Sequence, residues 1–209
     1  MRLRPFFVAM TFVCAACCLA VAQSRIDMVS GVGHTRNTGH HNPALTAGVR
    51  GQTEALDGLR LVGQFDLSTA KKSYIGDGWQ WHVEGSIEPR ILRFGRHTVY
   101  AGLGADIVQA RTSQYKKLQR HWVLKAGVIL EDATGRTDLS YGYKTKDDSI
   151  NHSDSHNFNV RHDLPKMIGS FIPGIEADLS VSRFDQQPFP YRLAGQRLWL
   201  KFYLSKALD

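Results

Sequence analysis

Beyond residue 18 the 209-residue chain has no cysteine; its three, Cys14, Cys17 and Cys18, lie inside one apolar run near the start. A chain without cysteine cannot be held by disulfides, so folding must rest on hydrogen bonding and packing. Beyond residue 23 no stretch reaches the roughly 18–20 consecutive apolar residues of a membrane helix. No segment sustains a helical period either. Excess charge of one sign is also missing. The net charge of +7 falls to +5 without Arg2 and Arg4, and the basic residues are spread along the chain. That pattern excludes a nucleic-acid binder, which concentrates its positive charge.

What the first residues do contain is an export signal. A basic start, Met1-Arg2-Leu3-Arg4, precedes the apolar run Pro5 to Val21, and Ala20-Val21-Ala22 precedes Gln23. This order predicts a signal peptide over 1–22, cleaved after Ala22, and one domain over 23–209. An exported chain with no spanning helix can enter a membrane only as a closed barrel, because only helices and barrels satisfy every backbone group in lipid.

Period-two alternation recurs from end to end. It predicts strands near 25–35, 44–53, 59–68, 78–88, 97–110, 120–131, 136–145, 155–163, 174–184 and 195–206. Leu59, Leu61, Phe65 and Leu67 fall on one parity, against Arg60, Gln64 and Asp66 on the other. The stretch "GWQWHVEGSIE" divides likewise, with Trp79, Trp81, Val83 and Ile87 against His82, Glu84 and Glu88. Joins near 36–43, 69–77, 111–119, 146–154 and 185–194 read as polar and mostly long. Those near 54–58 and 132–135 read as short, and those at 89–96 and 164–173 as intermediate. Long loops on one rim and short turns on the other predict an outer-membrane barrel whose N-terminus lies on the short-turn, periplasmic side.

Alternation alone also fits a soluble barrel with an apolar cavity. Lipid is favoured by charges of both signs on the polar parity, by strand lengths near those of a tilted crossing, and by aromatics toward strand ends. Trp79, Trp122, Tyr141, Tyr143, Phe158 and Phe202 occupy such positions. The Gly-bearing segments "ALTAGVRG", "TVYAGLGADI" and "LKAGVIL", with the exported start "SRIDMVSGVG" and the last strand "RLWLKFYL", resemble the small bacterial outer-membrane β-barrels of the outer-membrane protein A and opacity-protein type. The resemblance implies a transmembrane, closed, antiparallel up-and-down barrel, and the count of alternating segments makes it about ten strands, with eight as the alternative. It also implies residence in the outer membrane and delivery by the barrel-assembly machinery. Barrels of this type usually end in an aromatic residue, whereas this chain ends "SKALD", so Phe202 and Tyr203 would carry that signal from inside the last strand.

If the polar parity faces inward, the lumen holds Asp27, Asp66, Glu84, Glu88, Asp106, Asp138, Glu176 and Asp178. Opposite them stand Arg50, Arg60, Lys125, Lys144, Arg161, Arg197 and Lys201, with His82 among them. Unpaired buried charge is costly, so near-balance in a narrow bore predicts a network of ion pairs that fills the interior. His82 and Glu84 then belong to that network, with bases such as Arg60 or Lys125. Histidines gather at His34, His40 and His41 and again at His152 and His156. The segment "NHSDSH" carries the residue types of a nucleophilic hydrolase, though no rigid strand holds them in order. Neither group is expected to bind a metal, and no cofactor is indicated. Basic residues Lys71, Lys72, Lys116, Lys117, Arg120, Lys144 and Lys146 would face lipopolysaccharide phosphates from the outer rim. The expected function is therefore a monomeric, non-catalytic envelope protein with a structural or surface-interaction role. A lipid A-modifying enzyme, a narrow channel and a soluble periplasmic ligand-binding barrel are the alternatives.

Overall fold

The computed structural model describes residues 24–37, 40–56, 58–73, 76–112, 116–145, 153–185 and 192–208. Ten strands follow one another: β1 (Ser24–Asn37), β2 (His40–Leu56), β3 (Leu59–Ser73), β4 (Gly76–Phe94) and β5 (His97–Thr112), then β6 (Lys116–Asp132), β7 (Gly135–Lys144), β8 (Ser153–Asp163), β9 (Ile172–Asp185) and β10 (Arg192–Leu208). Each pairs antiparallel with its sequence neighbours, and β10 returns to β1, with Ser24 opposite Leu208 and Val32 opposite Leu200. Closure leaves no edge strand, so every ladder hydrogen bond has a protein partner. The segment read as a signal peptide lies outside the described residues.

The alternation sorts side chains to opposite faces of this wall. Apolar residues point out: Val32 is 57 % exposed, Leu103 54 %, Trp122 63 % and Phe202 67 %. Their neighbours by one residue point in and are buried, including Asp27, Asp106, Glu176 and Lys201. A soluble barrel would carry the reverse arrangement, so the ligand-cavity alternative is removed. The interior also holds a few apolar groups, Val29, Val123 and Ile129.

An even strand number puts both chain ends on one rim. The joins on that rim are tight at Gly58, at Gly95-Arg96 and at Ala133-Thr134, and the remaining one spans 164–171, where Ile168 and Phe171 bridge. In the β6–β7 turn Asp132 Oδ1 accepts from the Thr134 amide at 2.7 Å and the Thr134 hydroxyl at 2.5 Å. Gly135 follows with φ of 131°, and a Cβ there would run into the Asp163 carbonyl oxygen.

The lengths of the joins need correction. On the far rim β1 and β2 stay paired out to Asn37 and His40, β3 and β4 to Ser73 and Gly76, and β5 and β6 to Arg111 and Lys116. Those polar segments, read as loops, are ladder extensions. Pairing persists because backbone bonds do not need an apolar face, whereas the alternation that reveals a strand in sequence does. Likewise 89–96 is mostly strand: β4 runs through a bulge between Arg90 and Leu92 to Phe94.

Candidate functional site: the lumen

Three knots of charge fill the interior. The one nearest the chain ends is built on Asp27 of β1, whose side chain is fully buried. Arg25 Nε lies 2.9 Å from it and Arg161 Nη1 2.7 Å, and the Ser205 hydroxyl donates to it. Arg25 also forks onto both oxygens of Asp163, at 2.5 and 2.7 Å. Tyr203 donates to the same carboxylate at 2.6 Å, and its ring lies beneath the Arg161 guanidinium, 4.0 Å from it.

A second knot repeats that design on the opposite wall. Arg60 of β3 reaches Glu88 of β4 at 2.5 Å and crosses the bore to Asp138 of β7 at 2.9 Å. Tyr100 donates to Asp138 at 2.7 Å, and Arg60 lies 4.3 Å above its ring. In both places a glycine faces the tyrosine. Gly174 pairs with Tyr203 and Gly127 with Tyr100, and a Cβ on either glycine would strike the ring. The missing side chain lets the ring lie flat against the neighbouring strand while its hydroxyl reaches a carboxylate beyond.

The third knot spans the middle and the far half. Arg50 of β2 meets Glu176 of β9 at 2.9 Å, and Lys201 joins Glu176 at 3.0 Å and Asp178 at 3.4 Å. Gln64 donates to Asp66, which contacts His82 Nδ1 at 3.2 Å. The other ring nitrogen of His82 contacts Asp106. Lys144 reaches from β7 to Glu84 at 3.1 Å and Asp106 at 3.0 Å, and Lys125 also pairs with Glu84.

Each residue expected in the lumen is there, but two partnerships differ. Lys125 pairs with Glu84 as expected. His82, however, rests mainly on Asp66 and Asp106, with Lys144 Nζ 3.5 Å from its Nε2, and Arg60 binds Glu88 and Asp138 instead of Glu84. Lys144, also expected on the outer rim, turns inward to Glu84 and Asp106. Arg197 faces the lumen without a carboxylate within ion-pair distance among the described residues; Asp106 and Asp178 act on it only through their field. Arg25, Asp163, Arg136, Tyr100 and Tyr203 complete the interior and were not singled out. Period two would have found them, since each shares the parity of a residue that was named on its strand. Trp199 also points inward, over Gly33.

His82, Glu84 and Asp106 bring potential ligand atoms within 4.8 Å of one another. Lys144 and Lys125 already occupy the same carboxylates, so the group is neutralised by its own chain and offers a metal ion little net negative charge. No hydroxyl bonds His82 among the described residues, so it lacks the nucleophile of a base-activated pair. A cavity of about 130 Å³ remains beside these groups, lined by His82, Lys125, Lys144, Asn157 and Asn159 among others. It has room for a few waters. In "NHSDSH", Asn151 and His152 lie outside the described residues, as do the side chains of Ser153, His40 and His41. His156 is turned to the outer face, where Tyr141 OH lies 2.7 Å from its Nδ1 and the Tyr143 ring is 5.2 Å away.

A closed antiparallel barrel with a lipid-facing apolar coat and an ionic interior defines the class of small outer-membrane β-barrels. No protein-family model matches the chain, and no curated protein matches its sequence. Among solved structures, the outer-membrane protease OmpT of Escherichia coli is similar with a TM-score of 0.56 at 6 % identity, over 89 % of this chain and 97 % of that one. The attachment invasion locus protein Ail of Yersinia pestis gives 0.38 at 12 % identity, over 88 % and 98 %. Neisserial surface protein A gives 0.38 at 8 % identity, over 86 % and 95 %. At such identities the similarity to OmpT concerns the fold alone.

Proposed function

We propose that this protein is a non-catalytic component of the bacterial outer membrane with a structural or surface-interaction role. Its chain-end rim faces the periplasm and its paired hairpins face outward. The observation that carries this reading is the crossing of ion pairs between strands that are not neighbours. Arg60 ties β3 to β7, Arg50 ties β2 to β9, and Arg161 ties β8 to β1. A bore braced this way resists deformation and leaves little free path for solutes. Lipid and lipopolysaccharide are its surroundings, the barrel-assembly machinery inserts it, and it acts as a monomer.

Two measurements test this together. Purified protein in planar bilayers is expected to give no steady conductance, and cells expressing it are expected to keep full-length lipid A. A stable open level would make it a channel. Shortened lipid A, abolished by Ser153→Ala, would make it an enzyme.

A further inference from the structure

Three aromatic rings line the lumen over bare glycines, and one of them differs from the other two. Tyr203 lies on Gly174 and Tyr100 on Gly127, and each carries a guanidinium on its open face, Arg161 at 4.0 Å and Arg60 at 4.3 Å. Trp199 of β10 lies on Gly33 of β1 in the same way, where a Cβ would strike the benzene half of the indole. Among the described residues, however, no cation or second ring covers its other face, and its N–H has no acceptor. The indole is only half-buried, so solvent reaches it from the lumen.

A free guanidinium stands beside it. Arg197 is two residues nearer the far rim on the same face of β10, ~7 Å away at the rise of an extended strand. It has no hydrogen bond or ion pair among the described residues. The two acids whose field reaches it are engaged elsewhere, Asp106 with Lys144 at 3.0 Å and Asp178 with Lys201 at 3.4 Å. Farther out the inward positions lose their carboxylates. Asp66 is followed by Ser68 on β3, His82 by Gln80 on β4, and Asp178 by Ser180 on β9, the register partner of Arg197. Among the described residues, the outer mouth of the bore thus combines a free cation, an open aromatic face and neutral amide and hydroxyl groups. The ion pairs of the third knot form its floor.

The chemistry of these groups narrows the ligand. A guanidinium forks onto a carboxylate. An indole presents a flat apolar face with a polar N–H at its edge, which matches a pyranose ring, with C–H groups on one face and hydroxyls around its rim. Ser68, Gln80 and Ser180 supply further partners for hydroxyls, which an aromatic acid would leave unused. We propose that the outer mouth of the lumen binds a uronic acid, free or at the end of an acidic polysaccharide, with its ring on Trp199 and its carboxylate on Arg197. The crossed ion pairs beneath close the bore, so the site holds this ligand and does not pass it. This deepens the surface-interaction reading and rests on the far rim facing outward.

The test is isothermal titration calorimetry on the full-length protein in detergent micelles, with galacturonate, galactose, benzoate and trigalacturonate as probes. Wild type is expected to bind galacturonate. Galactose, which lacks the carboxylate, and benzoate, which lacks the hydroxyls, should each bind roughly tenfold more weakly, as the loss of charge-assisted or multiple hydrogen bonds implies. Trigalacturonate bound at least as tightly would identify a chain end as the ligand, and weaker binding the free sugar acid; both uphold the site. Arg197→Gln should abolish the preference for galacturonate over galactose, and Trp199→Leu should weaken both. Wild type that binds galacturonate no better than galactose, or not at all, would overturn the proposal, and so would an Arg197→Gln variant that keeps the preference. Folding is checked by the shift of unheated protein on SDS gels. Should a variant fail to fold, the comparison of galacturonate with galactose on wild type still decides. Orientation is read separately, with galacturonate coupled to a fluorescent dextran too large for porins. Intact cells expressing the protein are expected to be labelled; labelling only after permeabilisation would overturn the outward orientation and leave the site standing.

Discussion

At the scale of single residues, two tyrosines carry more than their share of the interior. Tyr203 covers Gly174, supports Arg161 on its ring face and donates to Asp163 at 2.6 Å. Tyr203→Phe keeps the ring and removes one donor to a buried carboxylate. The expected cost is about 1–3 kcal/mol, the penalty for leaving a buried acceptor short of a partner. Denaturant unfolding in a lipid-like detergent measures it, and an unchanged midpoint would mean that Arg25 alone satisfies Asp163. Gly174→Ala should cost at least as much, because the new Cβ would strike the ring and move it off the strand. The charged residues of this interior were readable in the sequence because period two assigns a face to every position. Their partners were not. Whether Glu84 meets Lys125, Lys144 or Arg60 depends on strand stagger around the closed bore and on side-chain reach. Neither is written in alternation. Arg25 and Asp163 lie near strand ends, yet they share the parity of Asp27 and Arg161, so their face was readable too.

At the scale of elements, the strands exceed what lipid requires. A tilted crossing takes about 9–11 residues, yet β4 has 19 and β6 has 17, while β7 has 10. The apolar portions were legible because one face is in lipid and the other in the lumen. The extensions were not, because with water on both sides nothing forces alternation, and Gly, Asn and Pro in "RNTGHHNP" resemble a loop. The turns on the chain-end rim were legible from composition. The β6–β7 turn places Gly135 at a positive φ with the Asp163 carbonyl against its Cβ position. Gly135→Ala is therefore expected to destabilise by about 1–3 kcal/mol through backbone strain. It should also disturb the nearby pairing of Arg136 with Asp163. Thermal unfolding of the micelle-bound protein checks this. A melting temperature at or above that of wild type would mean that the turn relaxes freely.

At the scale of the whole molecule, the wall and the interior depend on each other. A ten-stranded barrel encloses more space than a few side chains fill, and here long charged groups span it in place of an apolar core. Such pairs do not by themselves make a protein stable, since their desolvation offsets much of their attraction, but removing one partner leaves the other stranded. Arg60 and Arg50 are the informative pair. The first holds Glu88 on the next strand and Asp138 across the bore, and the second holds Glu176. Arg60→Ala is expected to cost about 3–5 kcal/mol, the range for a buried charge left without its counterion. The double variant Arg50→Ala with Arg60→Ala should do something that simple destabilisation does not. It vacates two large side chains that line the existing cavity, leaves Asp138 without a cation, and leaves Glu176 to Lys201 alone and Glu88 to the longer contact with Lys125. Water and counter-cations would enter to solvate those carboxylates. In planar bilayers the double variant should show small cation-selective openings where wild type shows none. Double replacement by Gln, which keeps some bulk and hydrogen bonding, should conduct less. If all three proteins are silent while the double Ala variant is folded, the block lies in the hairpins of the far rim. If wild type already conducts, the crossing pairs line a pore, and the bracing role assigned to them falls.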